Sequence, residues 1–385
     1  MSNLSKRWLG LGSVSAALVL LVVICSFAAG CGSKSGTSTS TGGTPKPGGT
    51  YNYPLDANPL SIEPLDAQDS EGQQVAHQIF QGLMKYELQP DGSIKVVPDL
   101  ADPVHPYEVN KDATVFTFHL RHGIRFQAPV NRAVTAQDFV DSWNRVTDPK
   151  NLSAVSYVLA PIQGADDGGY AAKGLTGVKA IDKYTLQVKL RYSFAEFPQT
   201  LGHPVTAVTP VDYINKIGQK AFAAKPVGTG PYMLKSWIPN QRITLVKNPN
   251  YWDKSANAGP YIDTINMPII TSISTRWLEF QKGDLDYTSV PPGGVAQALA
   301  NPKVKSGAWT AKKWPSLSIE YVGINMADPV LGKNLELRQA LAYAADASHV
   351  ISVGNENVST LATGIVPLGV PGYRANQSPY KYDLD

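Results

Sequence analysis

A chain of 385 residues with 43% hydrophobic and 17% charged residues is too long for one compact core, and two or three globular domains are expected. The formal net charge of +3 comes without any run of Lys or Arg, which argues against nucleic-acid binding by counterion release. With 33 Gly and 29 Pro, turns are plentiful, which favours a mixed α/β protein with long loops and a cleft between domains as its natural ligand site.

The N-terminus carries the most readable local pattern. Lys6 and Arg7 precede an uncharged stretch from Trp8 to Gly32, centred on the apolar run Leu18–Ile24. That order of positive, then apolar, residues is the layout of an export signal. Ala28-Ala29-Gly30-Cys31 resembles the lipobox of bacterial lipoproteins, in which the Cys is lipidated and becomes the new N-terminus. Processing there removes Lys6 and Arg7 and leaves 32 basic against 31 acidic residues. The alternative is an uncleaved transmembrane anchor, since the apolar stretch is long enough to span a bilayer. Either way the positive flank stays in the cytoplasm and the rest of the chain lies outside. Cys25 follows bulky Ile24 and is a poor processing site. With Cys31 lipidated, the body has no thiol for a nucleophile, a zinc site or a disulfide. Residues 32–49, rich in Ser, Thr, Gly, Lys and Pro, read as a flexible tether.

The body alternates helix and strand patterns. Val75, Ile79, Phe80 and Leu83 recur at helical spacing, predicting a helix over Gln73–Met84. Val115–Leu120 reads as a strand, and Thr135 with Asp138 resembles a capping box opening a helix through Phe139, Trp143 and Val146. Tyr184–Leu190 alternates as a strand, Pro210 opens a helix running towards Phe222, and Ile243–Val246 is a further strand. Ser274–Lys282 is predicted to be a helix ended by Gly283, Ile319–Ile324 a strand, and Asn334 starts a helix with Leu337, Leu341 and Ala344 on one face.

Four blocks resemble the solute-binding protein family 5 of oligopeptide, dipeptide and nickel importers, over nearly everything from Gly48 onward. They are Ile79–Tyr86 with Pro98–Ala101; Thr117–Phe126 with Val134–Phe139; Pro226–Tyr232 with Asn248–Trp252; and Leu337–Leu341 with Asp346. One departure is Gln127–Arg132, where the family has a short acidic-Gly turn, and that loop is expected to be peripheral. Physically, Gly228 and Gly230 permit a tight turn, Pro231 fixes φ, and Tyr232, Tyr251 and Trp252 supply core area.

The resemblance implies an α/β type II periplasmic-binding-protein fold, with two lobes joined by a hinge and a small extra domain. Residues 1–30 would be the signal peptide, 31–49 the tether, 50–80 with 176–290 lobe I, 81–175 the small accessory domain, and 291–385 an incomplete lobe II. Family members continue well beyond residue 385, so the chain is expected to be a fragment that binds weakly. Carried over by position, Gln68, Asp69, Ser70, Glu71, Gly72 and Gln73 line the cleft, faced by Ser289, Val290, Pro291 and Pro292. Tyr321, Asn325 and the turn Gly364–Pro367 are further candidates. For Gln68–Gln73 a plain helix N-terminus, with Asp69 or Ser70 as its cap, is an equal alternative.

The implied function is an extracytoplasmic substrate-binding protein that captures short peptides for an ABC importer, its permease and ATPase complex being the partner. It would sit on the outer face of the cytoplasmic membrane or in the periplasm, anchored by its lipid and monomeric. Nickel or another metal chelate, or an oligosaccharide, are alternative ligands within the same fold. A membrane-tethered hydrolase is the rival from another class, but no nucleophile elbow, phosphate loop or His-Glu metalloprotease motif is visible. No cofactor and no metal site are expected. His119 and His122 stand three apart, a spacing that sends them to opposite faces of a strand.

Overall fold

The computed structural model describes residues 46–89, 93–254, 259–313, 318–354, 356, 358–368, 370, 372–375 and 380–384. The expected signal, Cys31 and most of the tether lie outside these residues. In chain order, β1 (Thr50–Asn52) leads to α1 (Ser70–Ile79), β2 (Met84–Leu88), β3 (Ile94–Pro98), β4 (Tyr107–Val109), β5 (Val115–His119) and α2 (Ala136–Thr147). Next come β6 (Val178–Asp182), β7 (Thr185–Lys189), α3 (Phe197–Thr200), α4 (Val211–Ile217), α5 (Gln219–Ala224), β8 (Tyr232–Ile238), β9 (Arg242–Lys247), β10 (Thr264–Pro268) and α6 (Ile273–Lys282). The short α7 (Val295–Ala300) and α8 (Pro302–Lys305) precede α9 (Leu335–Ala344) and α10 (Ala347–Gly354).

Two four-stranded sheets and a β2–β3 hairpin organise these elements. One sheet has the order β1-β10-β9-β8, with β1 parallel to β10 and the other pairs antiparallel. The other, β4-β5-β7-β6, is wholly antiparallel. In β5 alternate residues point inward, so Phe116 and Phe118 are both buried, opposite Val188 and Leu186. Helix α2 packs over this sheet and buries Phe139, Trp143 and Val146, the residues whose helical spacing marked its inner face. Strand pairing moves the expected domain boundary. Residues 178–189 belong to the sheet of β5, so a break after residue 175 would split that sheet.

Three element assignments are corrected. Helix α1 begins at Ser70 rather than Gln73, because the Asp69 carboxylate accepts from the Gly72 N–H at 2.7 Å. It ends at Ile79 because the turn through Gly228 and Gly230 lies against its last carbonyls, Gly230 N donating to Ile79 O at 2.8 Å. A Cβ on Gly228 would stand 2.0 Å from Ile79 O, so only glycine fits. The single helix expected from Pro210 to Phe222 is two, α4 and α5, divided at Gly218 with φ +86. No strand forms at residues 319–324, where the chain is mostly exposed and none of the described strands pairs with it.

Side chains tie the separate segments together. Arg145 of α2 meets the buried Glu63 carboxylate through both its guanidinium nitrogens, at 2.8 and 3.1 Å, and Gln219 of α5 donates to the same carboxylate at 3.0 Å. Asp138 accepts from the Thr135 N–H at 2.8 Å, as the capping pattern predicted, and also takes Arg132 at 2.7 Å. Beyond Ala298 none of the described residues is buried. Helix α9 is nonetheless capped as expected, Asn334 accepting from Leu337 N at 2.9 Å.

Candidate functional site

The residues expected to line a cleft sit at the N-terminal end of α1 and beside β1. Asp69 is occupied as the helix cap and also accepts from Leu60 N at 3.0 Å, so its role is to place the helix start. Gly72 is buried under the Ser61 carbonyl, which a Cβ would approach to 2.1 Å. Ser70 donates to Glu71 at 2.9 Å, Gln73 N closes the first helical turn onto Asp69 O at 3.0 Å, and Gln68 is exposed beside them. Glu71 is therefore the ionisable side chain of this group that the helix cap does not consume.

The chain returns to this place after α6. Asp286 N donates to Asn52 O at 3.0 Å, and the Asp286 carboxylate accepts from Asn52 N at 2.8 Å, so the segment leaving α6 runs alongside β1. The next residue, Tyr287, stacks on Tyr53 with ring centroids 4.9 Å apart, and Tyr51 stands 6.2 Å from Tyr53. Burial pushes the Tyr53 hydroxyl up to about 12, and the neighbouring Tyr287, Tyr51, Asp56 and Glu71 push the same way. Stacked aromatic rings and the carboxylates of Asp56, Glu71 and Asp286 thus lie within electrostatic reach of one another where the two passes of chain meet. Neither Tyr53 nor Tyr287 was singled out in the sequence; only the pairing of Asn52 with Asp286, residues 234 apart, brings them together.

The remaining candidates are placed less centrally. Ser289 O accepts from Thr288, and Pro291 O accepts from Gly294 N at 3.0 Å in the turn that opens α7, with Val290 and Pro292 flanking. Tyr321 is 80% exposed, and Asn325 spends its side-chain oxygen on Ala327 N at 3.0 Å. Gly364 to Pro367 form an exposed bend.

The sequence blocks behind the resemblance converge on a second centre, at the opposite end of α1. Gln81 donates to the buried Asp99 carboxyl at 2.7 Å and to the Tyr251 hydroxyl at 3.2 Å, and accepts from Trp252 Nε1 at 2.9 Å. Arg121 donates to Asp99 O at 2.7 Å and lies 4.8 Å over the Trp252 ring. Burial pushes the Asp99 carboxyl up to about 7, against the pull of Lys85, Gln81 and Arg121. Gln127 corrects another expectation. The loop taken as peripheral holds a side chain 3% exposed, which donates to Gly230 O at 3.0 Å and Tyr232 O at 2.7 Å and clamps the glycine turn. His119 lies 3.7 Å from Glu108, and His122 stacks on Tyr184 at 4.0 Å, so each imidazole has an ordinary neighbour.

Comparison with known proteins follows the same residues. The profile of bacterial extracellular solute-binding proteins, family 5, middle region, matches residues 95–385. The chain is 31% identical over 328 residues to the periplasmic oligopeptide-binding protein OppA of Escherichia coli, covering 83% of this chain and 57% of that one. It is 29% identical over 329 residues to the glutathione-binding protein GsiB of Salmonella typhimurium, covering 85% of this chain and 58% of the relative, so it spans less than two thirds of that relative's length. Among solved structures, OppA of Burkholderia pseudomallei superposes with a TM-score of 0.71 at 27% identity, over 85% of this chain and 61% of the other. The murein tripeptide-binding protein MppA of Escherichia coli does so with a TM-score of 0.72 at 25% identity, over 87% and 62%.

Proposed function

The chain belongs to family 5 of the bacterial extracellular solute-binding proteins, and we propose that it captures short peptides outside the cytoplasmic membrane for an ABC importer. The observation that carries this reading is the meeting of two distant passes of chain at β1, where Tyr53, Tyr287 and Glu71 form one wall of a site. That wall offers stacking surface with carboxylates beside it, Glu71 among them, which suits a peptide backbone and its ammonium end, and among the described residues no three His, Cys, Asp or Glu side chains cluster as a metal site would need. The names of the relatives, oligopeptide-, murein tripeptide- and glutathione-binding proteins, support the same ligand class.

In this reading β1, α1 and the sheet of β8–β10 form lobe I, the sheet of β4–β7 with α2 forms the accessory domain, and the chain from Asp286 to Pro292 is the hinge crossing. Residues from 291 onward belong to lobe II, whose side chains Tyr321 and Asn325 would close on the ligand. Cys31 carries the lipid, the protein acts as a monomer, and it binds rather than catalyses. A library of short peptides, with glutathione, nickel chelates and oligosaccharides alongside, tests the ligand class by thermal shift. Peptides at a hundredfold excess over their dissociation constant should stabilise the protein by about 2.7 kcal/mol. Tyr53→Ala and Glu71→Gln should each weaken that effect. A shift produced by nickel chelates or sugars alone, or hydrolysis of the peptides, overturns the reading.

A further inference from the structure

The Gln81–Asp99 network borders a depression that the proposed cleft leaves unused. It holds about 390 Å³, within the lower range of small-molecule sites. Glu71 lies in the first turn of α1 and Gln81 just past its last, so at 1.5 Å per residue the two stand about 15 Å apart along the helix. Its polar groups are unequally placed. Asp99 lines the depression and is 6% exposed, so it closes the floor. Lys85 lines the same space from β2 and is exposed, so its ammonium stands at the mouth.

The Gln81 amide takes one acceptor position of the Asp99 carboxyl, at 2.7 Å, whereas a carboxylate offers about four. The Tyr251 hydroxyl, which accepts from Gln81 at 3.2 Å, retains its own proton to donate. Phe80, Met84 and Tyr86 supply apolar walls. His77 also lines the space, but burial pushes its imidazole down towards the neutral form, so one buried acid, one exposed base and apolar sides describe a container for a small dipolar molecule rather than a simple cation or anion. We propose that this depression is a second ligand site, which takes a zwitterion of amino-acid size with its ammonium on Asp99 and its carboxylate on Lys85.

A consequence separates this from passive packing. Burial, helped by the neighbouring Asp253 and opposed by Lys85, Gln81 and Arg121, holds the Asp99 carboxyl up at about 7, and an ammonium beside it favours the charged form. Binding near pH 7 therefore releases protons from the Asp99 oxygen to the buffer. The proposal does not depend on what the cleft near Tyr53 binds.

The test titrates this 385-residue chain with glycine, methylammonium and acetate at pH 7, by calorimetry in two buffers of different ionisation heat. The Asp99 carboxyl resonance is followed by carbon NMR. Glycine should saturate, release protons to the buffer and shift that resonance, whereas acetate should do none of these. Asp99→Asn keeps the acceptor for Gln81 and should weaken glycine at least tenfold. Lys85→Met changes an exposed residue and should bring glycine down to the affinity of methylammonium. Glycine heat without movement of the Asp99 resonance places the ligand elsewhere and overturns the proposal. So does uptake that both substitutions leave unaltered.

Discussion

Residues 46–285 and residues 291–384 follow the same local rules with different results. In the first region helix α2 has a capping pattern and an apolar stripe, and the stripe disappears into a core that includes Trp143 at 0% exposure. In the second, α9 has the same kind of cap and the same periodicity, yet Leu341 is 48% exposed and no described residue beyond Ala298 is buried. Local signals are therefore enough to start and stop a helix, but a core needs a partner surface, and burial rather than propensity supplies most of the stability. The strand expected at 319–324 makes the same point more sharply, because a strand satisfies its backbone only by pairing with another strand. Hydrogen exchange should accordingly be slow in β5, β7 and β9 and faster in α9 and α10.

The strongest way to break this comparison is a pair of truncations. Trp143→Ala removes a fully buried indole whose N–H donates to Thr206 O at 2.9 Å, and should lower unfolding free energy by about 3–5 kcal/mol. Val322→Ala, at a site 93% exposed, should change it by less than about 0.5 kcal/mol. Equal losses in chemical denaturation would erase the distinction. A second pair compares arginines. Arg145→Met strands the buried Glu63 carboxylate and should cost about 3–5 kcal/mol. Arg338→Met removes bonds to the Leu331 and Gly332 carbonyls, 2.6 and 3.0 Å long, in a half-buried setting and should cost about 1 kcal/mol.

The pH dependence of the first region gives a smaller and directional test. Asp99 holds its proton more tightly in the folded protein, at about 7, than at its ordinary value of 3.8. Its contribution to stability is therefore fully present below about pH 4 and is lost as pH rises through about 7, at no more than about 1.4 kcal/mol per pH unit. Asp99→Asn should flatten that slope in urea titrations, and an unchanged slope would assign it to other groups. The smallest effect sharpens the comparison instead of breaking it. Asp69→Ala and Asn334→Ala remove equivalent helix caps, each worth about 1 kcal/mol. The first should appear in global unfolding, and the second only as faster local exchange in α9.

Much of this was legible in the chain itself wherever the cause is local. Asp138 closing on Thr135, Gly283 ending α6 at φ +92, and the alternation of β7 each depend on a few neighbouring residues, and each is present as read. The motif blocks were legible as a family resemblance, but their physical purpose was not. Gln81, Asp99, Arg121 and Trp252 are spread over 171 residues, and only folding makes them one network. Gln127 looked dispensable because nothing near it in sequence needs its amide; the groups it clamps are about a hundred positions away. Likewise α1 stops at Ile79, against its own apolar periodicity, because the Gly228–Gly230 backbone occupies the space over its last turn. The sequence by itself determined caps, breakers and the period of each element, since these act over one or two turns of chain. The tertiary structure alone decided which apolar faces are buried, which strand patterns become strands, and that Tyr53 stacks on Tyr287, because each needs a partner that the chain brings from far away.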